Sequence, residues 1–150
     1  MTKQSLRERA MNFLARREHS VHELTIKLVK AEFEHDDVIN TIARLTEQDL
    51  QSDHRFAENY TRYRSNRGFG SQKIKQELKE RGVAVELIND TLNEANIDWF
   101  ELATTVRCKR FGKKSPDNFK ERAKQQRFLQ YRGFTHEQIA NSFNTDIDTI

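Results

Sequence analysis

The sequence predicts an all-α fold: three tandem three-helix repeats stacked into an elongated array. Three observations carry this reading. Turn residues are scarce, with five Gly and one Pro in 150 residues, too few for the many turns of an all-β chain. Apolar residues recur at helical spacing from end to end. One apolar template then appears three times at a near-constant interval, the signature of a repeat architecture. Composition bears on shape. Hydrophobic residues make up 35% and charged residues 33%, against ~45–50% apolar (Gly included) and ~25% charged in ordinary domains. So little apolar area favours a thin stack of helices, and no single three-helix unit buries enough surface to stand alone.

The repeat has two parts. Leu6, Ala10, Phe13 and Arg17 draw a stripe down the first helix, and the same spacing returns at Phe56, Tyr60, Tyr63 and Arg67 and at Phe100, Thr104, Arg107 and Phe111. Downstream, Leu28, Phe33, Val38 and Ile42 have offsets 0, 5, 10 and 14. Leu78, Val83, Ile88 and Leu92 match them, as do Leu129, Phe134, Ile139 and Phe143. The stripes lie 50 and then 44 residues apart, the template 50 and then 51. The third repeat therefore carries about seven extra residues, which fit at Gly112–Asn118. The chain reads as one repeat-built domain, with repeats near 1–52, 53–97 and 98–150.

Each helix has chemical punctuation. In repeat one, helices are expected near 4–18, 21–31 and 36–48. Ser5 with Glu8 and Ser20 with Glu23 form capping boxes, each serine accepting from an orphan N–H while the glutamate reaches back. Asp36 and Asp37 sit where a helix N-terminus favours negative charge; with Glu32 and Glu34 they form an acidic cluster that lacks the calcium-loop pattern. In repeat two, helices fall near 54–67, 71–81 and 84–95. Asp53 is the expected cap of the first, and Gly68 and Gly82 end two of them in the left-handed conformation. In repeat three, helices fall near 98–111, 116–131 and 136–144. Ser115 caps the middle one with Pro116 at its first position, Gly133 ends it, and Thr135 with Gln138 opens the last.

Several function classes find no support. No apolar run approaches the ~18 residues of a membrane span, and MTKQSLRERA lacks a signal-peptide apolar region. The single Cys108 excludes an intrachain disulfide. A soluble cytoplasmic protein is the expectation. His19 and His22 straddle a helix boundary at Ser20, and His35, His54 and His136 are scattered, so no metal is expected and surface histidines are. Cys108 reads as a small half-buried residue. No nucleophile elbow, phosphate-binding loop or carboxylate pair is present, so neither an enzyme nor a cofactor is expected. Gly68-Phe69-Gly70 opens a helix as an anion site would, but it lacks a preceding strand, a third glycine and a Gly-Lys-Ser/Thr. At period 50 it falls on Glu18-His19-Ser20, so it reads as a helix–helix turn.

The charge of +3 is uneven: −2 over residues 1–54, +1 over 55–100 and +4 over 101–150. On helix five, Lys73, Lys75 and Lys79 surround the inward Ile74 and Leu78. On helix four, Arg62 lies opposite the stripe, with Arg64 and Arg67 at its border. In repeat three, Lys109, Arg110, Lys113, Lys114 and Lys120 gather around one loop, with Lys124, Arg127 and Arg132 further on. Such a surface suits phosphates or acidic side chains. Tyr60, Tyr63, Phe69 and Tyr131 are interleaved with it, but mostly on helix stripes, so they are expected in the core first and as base platforms second.

Three stretches carry a family resemblance. They are Asp53-His54-Arg55-Phe56-Ala57; Arg67-Gly68-Phe69-Gly70 with Ile74, Glu77-Leu78 and Arg81-Gly82-Val83; and Gln126-Arg127-Phe128-Leu129-Gln130-Tyr131-Arg132-Gly133-Phe134. Ser20, Glu23-Leu24 and Lys27-Leu28 support them in repeat one. The chain resembles the RecX family of recombination regulators over nearly its whole length. It begins almost at the first helix, so any longer N-terminal arm of relatives is expected to be missing. The resemblance implies a curved array of three three-helix repeats. It further implies a protein that lodges in the groove of the RecA recombinase filament, suppresses ATP hydrolysis and strand exchange, and so modulates recombinational repair and the SOS response, with weak binding to single- or double-stranded DNA; a monomer is the default expectation. A stand-alone basic DNA-binding module is the alternative. Either way, repeats two and three hold 18 of the 26 basic residues and are expected to carry binding.

Overall fold

The computed structural model describes residues 4–144. Among them lie nine helices and no strand: α1 (Leu6–Arg16), α2 (Val21–Lys30), α3 (His35–Glu47), α4 (Asp53–Asn66), α5 (Ser71–Glu80), α6 (Val85–Glu94), α7 (Trp99–Phe111), α8 (Phe119–Tyr131) and α9 (His136–Ser142). The all-α class and its three-helix repeats are as the sequence predicts. The chain forms two compact units. The N-terminal unit runs to Tyr60 and takes in Leu78–Thr91; the C-terminal unit takes in Thr61–Glu77 and the chain from Leu92.

In the N-terminal unit, both serine capping boxes form. Ser5 Oγ accepts from Glu8 N–H at 3.1 Å, and Ser20 Oγ from Glu23 N–H at 3.1 Å. These satisfy orphan donors at the starts of α1 and α2. Ala10, Leu24, Leu28, Val38, Ile42 and Leu45 are buried together, with Phe13, Leu14 and Phe33 packed against them. Asp36 and Asp37 lie in the first turn of α3. Asp53, the expected cap of α4, is instead its first residue. Ser52 does the capping, its Oγ accepting from Arg55 N–H at 3.1 Å, while Asp53 Oδ1 accepts from Val21 N–H at 2.9 Å.

In the C-terminal unit, Ala103, Leu129, Phe134, Ile139 and Phe143 form the core with Leu102, Val106 and Phe128 against it. Thr135 and Gln138 close the expected box on α9. The Ser115–Pro116 cap does not form. α8 starts three residues later, capped by Asn118, whose Oδ1 accepts from Glu121 N–H at 2.8 Å; Ser115 Oγ donates instead to the Phe143 carbonyl at 3.3 Å.

The downstream template lies at buried or half-buried positions at all twelve places. The first-helix stripes are less well placed. On α4, Tyr63 is 52% exposed while Ala57, Thr61 and Ser65 are buried; on α7, Phe100 is 42% exposed while Ala103 and Arg107 are buried. The stripe residues Phe56 and Arg107 are buried, but small and polar residues fill the rest of the inward faces, and Tyr63 and Phe100 sit beside them.

His19 is 1% exposed, against the expectation of a surface histidine. Its Nδ1 lies 3.0 Å from the Arg17 carbonyl and its Nε2 2.8 Å from Lys27 Nζ. A carbonyl only accepts and an ammonium only donates, so the ring is neutral with its proton on Nδ1. Burial holds its pKa below the usual 6.5, with the Arg17 and Lys27 charges pushing the same way. Burial would raise the pKa of the nearby Glu23, but hydrogen bonds from Arg17 and Ser20 hold its carboxyl below the usual range.

Candidate interaction surface

The fourteen basic residues singled out above fall in both compact units. Lys79 lies in the N-terminal unit and the other thirteen in the C-terminal unit. Arg64 is largely committed. Its Nε and Nη2 donate to the two Glu77 oxygens at 2.9 and 2.8 Å, and its guanidinium lies 3.7 Å from the Phe69 centroid. This bidentate, half-buried pair ties α4 to α5. Arg62 and Arg67 are exposed, Arg67 lying over Tyr63 at 5.0 Å. Lys73 and Lys75 are half-buried, and Lys73 Nζ sits 4.9 Å from the Tyr131 ring centroid.

Repeat three spreads its charge more widely. Lys113 and Lys114 are exposed in the loop before α8; Lys114 lies 3.8 Å from Asp117, a solvated pair of little energetic weight. Lys120, Lys124 and Arg127 are exposed along α8. Lys109 and Arg110 end α7, where cations complement the helix dipole. Arg132 is half-buried: its Nη1 donates to the Arg67 carbonyl at 2.9 Å, and its guanidinium lies 4.7 Å from the Phe69 centroid and 5.0 Å from that of Phe128.

Four of these cations meet. Arg67, Lys109, Arg110 and Arg132 line a cleft of about 480 Å³ whose floor is Leu102, Val106 and Phe128. Residues 102, 105, 106, 109 and 110 recur at helical spacing, so one face of α7 forms a wall.

Sequence reasoning missed Arg107. It is fully buried, its Nε donating to the Ser142 carbonyl at 2.9 Å and its Nη1 to Gln125 Oε1 at 3.3 Å, with Phe143 at 4.9 Å. It binds α7, α8 and α9 together as a strut. Its place in the first-helix stripe was the available signal. Tyr131, expected in the core, is 70% exposed, as is Phe119 at 90%. Among the described residues, no cluster of His, Cys, Asp and Glu is placed to hold a metal, and no helix is long and apolar enough to cross a membrane.

Comparison with known proteins now places the chain. Three family models match in order: RecX, first three-helix domain at residues 7–45, second at 52–92 and third at 96–141. The chain belongs to the RecX family. It is 40% identical over 136 residues to "Regulatory protein RecX" of Halorhodospira halophila, covering 91% of this chain and 84% of that one. It is 38% identical over 135 residues to the protein of the same name from Ectopseudomonas mendocina, covering 90% of each. The crystal structure of RecX from Lactobacillus salivarius superposes with a TM-score of 0.79 over 97% of this chain and 96% of that one, at 23% identity. That last likeness is one of fold. The cleft takes Arg67, Gly68, Phe128 and Arg132 from the RecX-like stretches, and Glu77 of the Arg64–Glu77 pair lies in one as well.

Proposed function

We propose that this protein binds the RecA recombinase filament and restrains its ATP hydrolysis and strand exchange, acting as a cytoplasmic monomer that modulates recombinational repair and the SOS response. The observation that carries the reading is family membership over nearly the whole chain, through relatives named regulatory protein RecX. The basic surface of the C-terminal unit supplies the chemistry. Exposed lysines and arginines meet acidic side chains of a filament or the phosphates of the DNA it holds, and both attractions fall with salt.

The test is RecA ATP hydrolysis with increasing amounts of this protein. Inhibition well below one copy per recombinase subunit points to blocked filament growth, and inhibition only near saturation to coating. Charge reversal at Lys73, Lys75, Lys113 and Lys114 is expected to remove inhibition from a folded variant; full inhibition by that variant overturns the basic-surface assignment. The exposed Tyr131 beneath Lys73 favours a second reading, a stand-alone DNA-binding module. Equal affinity for bare DNA and for RecA–DNA filaments, with a steep salt slope, would favour that one.

A further inference from the structure

The cations of the C-terminal unit differ in whether their charge is answered. Arg64 has Glu77, and Lys114 lies near Asp117. Among the described residues, no carboxylate forms an ion pair with Arg67, Lys109, Arg110 or Arg132, and these four converge on the cleft over Leu102, Val106 and Phe128. Like charges gathered beside an apolar floor repel, and a ligand that is both acidic and apolar relieves that repulsion while covering the floor.

We propose that this cleft docks an acidic peptide segment carrying aliphatic anchors. Leu102 and Val106 stand one helical turn apart on α7, matching two aliphatic side chains at the same spacing in a partner. The rim then offers separate cations to separate carboxylates. Arg132 is already held in place, by the Arg67 carbonyl at 2.9 Å and by Phe69 and Phe128, so little rotamer freedom is lost on binding.

A nucleic acid fits less well. The Phe128 ring already carries the guanidiniums of Arg110 at 5.1 Å and Arg132 at 5.0 Å, with Phe111 edge-on at 5.3 Å, so it is not an open platform for a base. A dense phosphate site recruits helix N-termini and their free N–H groups. This cleft runs along a side face of α7 and no helix begins in it, so every positive charge in it comes from a side chain.

The proposal deepens the function above by naming the chemistry of a protein partner. Its test contains no recombinase, so either reading can fail alone. Fluorescent short peptides would be titrated into the full chain and followed by anisotropy. The probe has two leucines one helical turn apart among glutamates. One control replaces the glutamates by glutamine, a second replaces the leucines by glycine, and the third is an oligothymidylate of equal charge. The probe is expected to bind at least about tenfold tighter than every control. Thr105→Glu and Lys109→Glu are expected to weaken it about tenfold or more, and Arg44→Glu, exposed in the N-terminal unit, by less than about twofold. Thr105 and Lys109 are exposed, so both variants should keep the parent melting temperature. Equal binding of the glutamine or the glycine control overturns the proposal. So does an equal loss in Arg44→Glu, or oligothymidylate binding that matches the probe and is lost in the same two cleft variants.

Discussion

The two compact units each contain a joint between consecutive repeats, built at equivalent places with different chemistry. In the N-terminal unit, the start of α2 meets the turn after α5: Ser20 Oγ donates to the Arg81 carbonyl at 2.8 Å, and a side chain at Gly82 would run into His22. In the C-terminal unit, the start of α5 meets the turn after α8. There Gly70 N–H donates to the Arg132 carbonyl at 2.7 Å and Gln72 N–H to the Gly133 carbonyl at 3.0 Å. At this place one joint uses a side-chain hydroxyl and the other two backbone N–H groups. The comparison disposes of the phosphate-loop reading of Gly68-Phe69-Gly70. Two of the N–H groups at the start of α5 that an anion would need, those of Gly70 and Gln72, are already bound to carbonyls of the following repeat.

The turn glycines teach the same lesson. Gly82 and Gly133 adopt φ +79° and +97°, and at the matching place in repeat one Glu32 adopts +73°. Conformation alone therefore does not demand glycine here. Gly82 and Gly133 sit under the preceding repeat, with His22 and Lys73 against them. Glu32 is exposed.

The largest expected effect breaks the backbone joint. In Gly133→Ala the new Cβ would lie 2.3 Å from Lys73 Cβ and 2.5 Å from Lys73 N. In Gly70→Ala it would lie 2.5 Å from the Gly133 carbonyl oxygen. Backbone cannot swing away, so each should cost roughly 3 kcal/mol or more by urea denaturation. Glu32→Gly, at the corresponding turn, should change stability by no more than about 0.5 kcal/mol, since it removes no packing. A loss in Glu32→Gly as large as in Gly133→Ala would end the argument from close approach.

Ser20→Ala is expected to cost about 1–2 kcal/mol, because one oxygen caps α2 and also donates to Arg81. Ser20→Gly separates the two roles. Glycine replaces a capping serine at a cost of only a few tenths of a kcal/mol, so a larger loss measures the joint. A loss no larger than that would mean the Arg81 contact adds nothing.

How far these features were legible follows from how local they are. Capping boxes depend on residues three apart, and Ser5, Ser20 and Thr135 are where the sequence puts them. Residues 28–42 and their two copies hold the core because large aliphatic and aromatic side chains leave a readable pattern. The inner faces of α4 and α7 were misread in part because Thr61, Ser65 and Ala103 do not look like core, while Tyr63 and Phe100 do. The cleft was illegible for another reason. Arg67 and Arg132 are far apart in sequence and meet only through the Gly70–Gly133 joint. Single basic residues could be named, but not the four that converge.

The smallest expected effect sharpens the hydroxyl joint through its neighbour His19. Burial lowers the pKa of this ring in the folded protein, so the unfolded chain binds the proton more readily. Stability is then full above the usual value of 6.5 and is lost as pH falls below it, until the folded ring itself titrates. Glu23 also has a lowered pKa, but its contribution is lost only as pH falls below the usual 4.5. The interval between the two is therefore assigned to His19. Protonation there would set a second cation against Lys27 at 2.8 Å and remove the acceptor that holds it. Urea midpoints at pH 7.5 and pH 5.5 should fall on acidification in the parent chain and fall less in His19→Gln. Parallel losses in the two proteins would show that the slope belongs to other groups. No comparable buried imidazole lies beside Gly70 among the described residues, so the backbone joint should keep its hydrogen-exchange protection over the same interval while the Ser20 joint loses some.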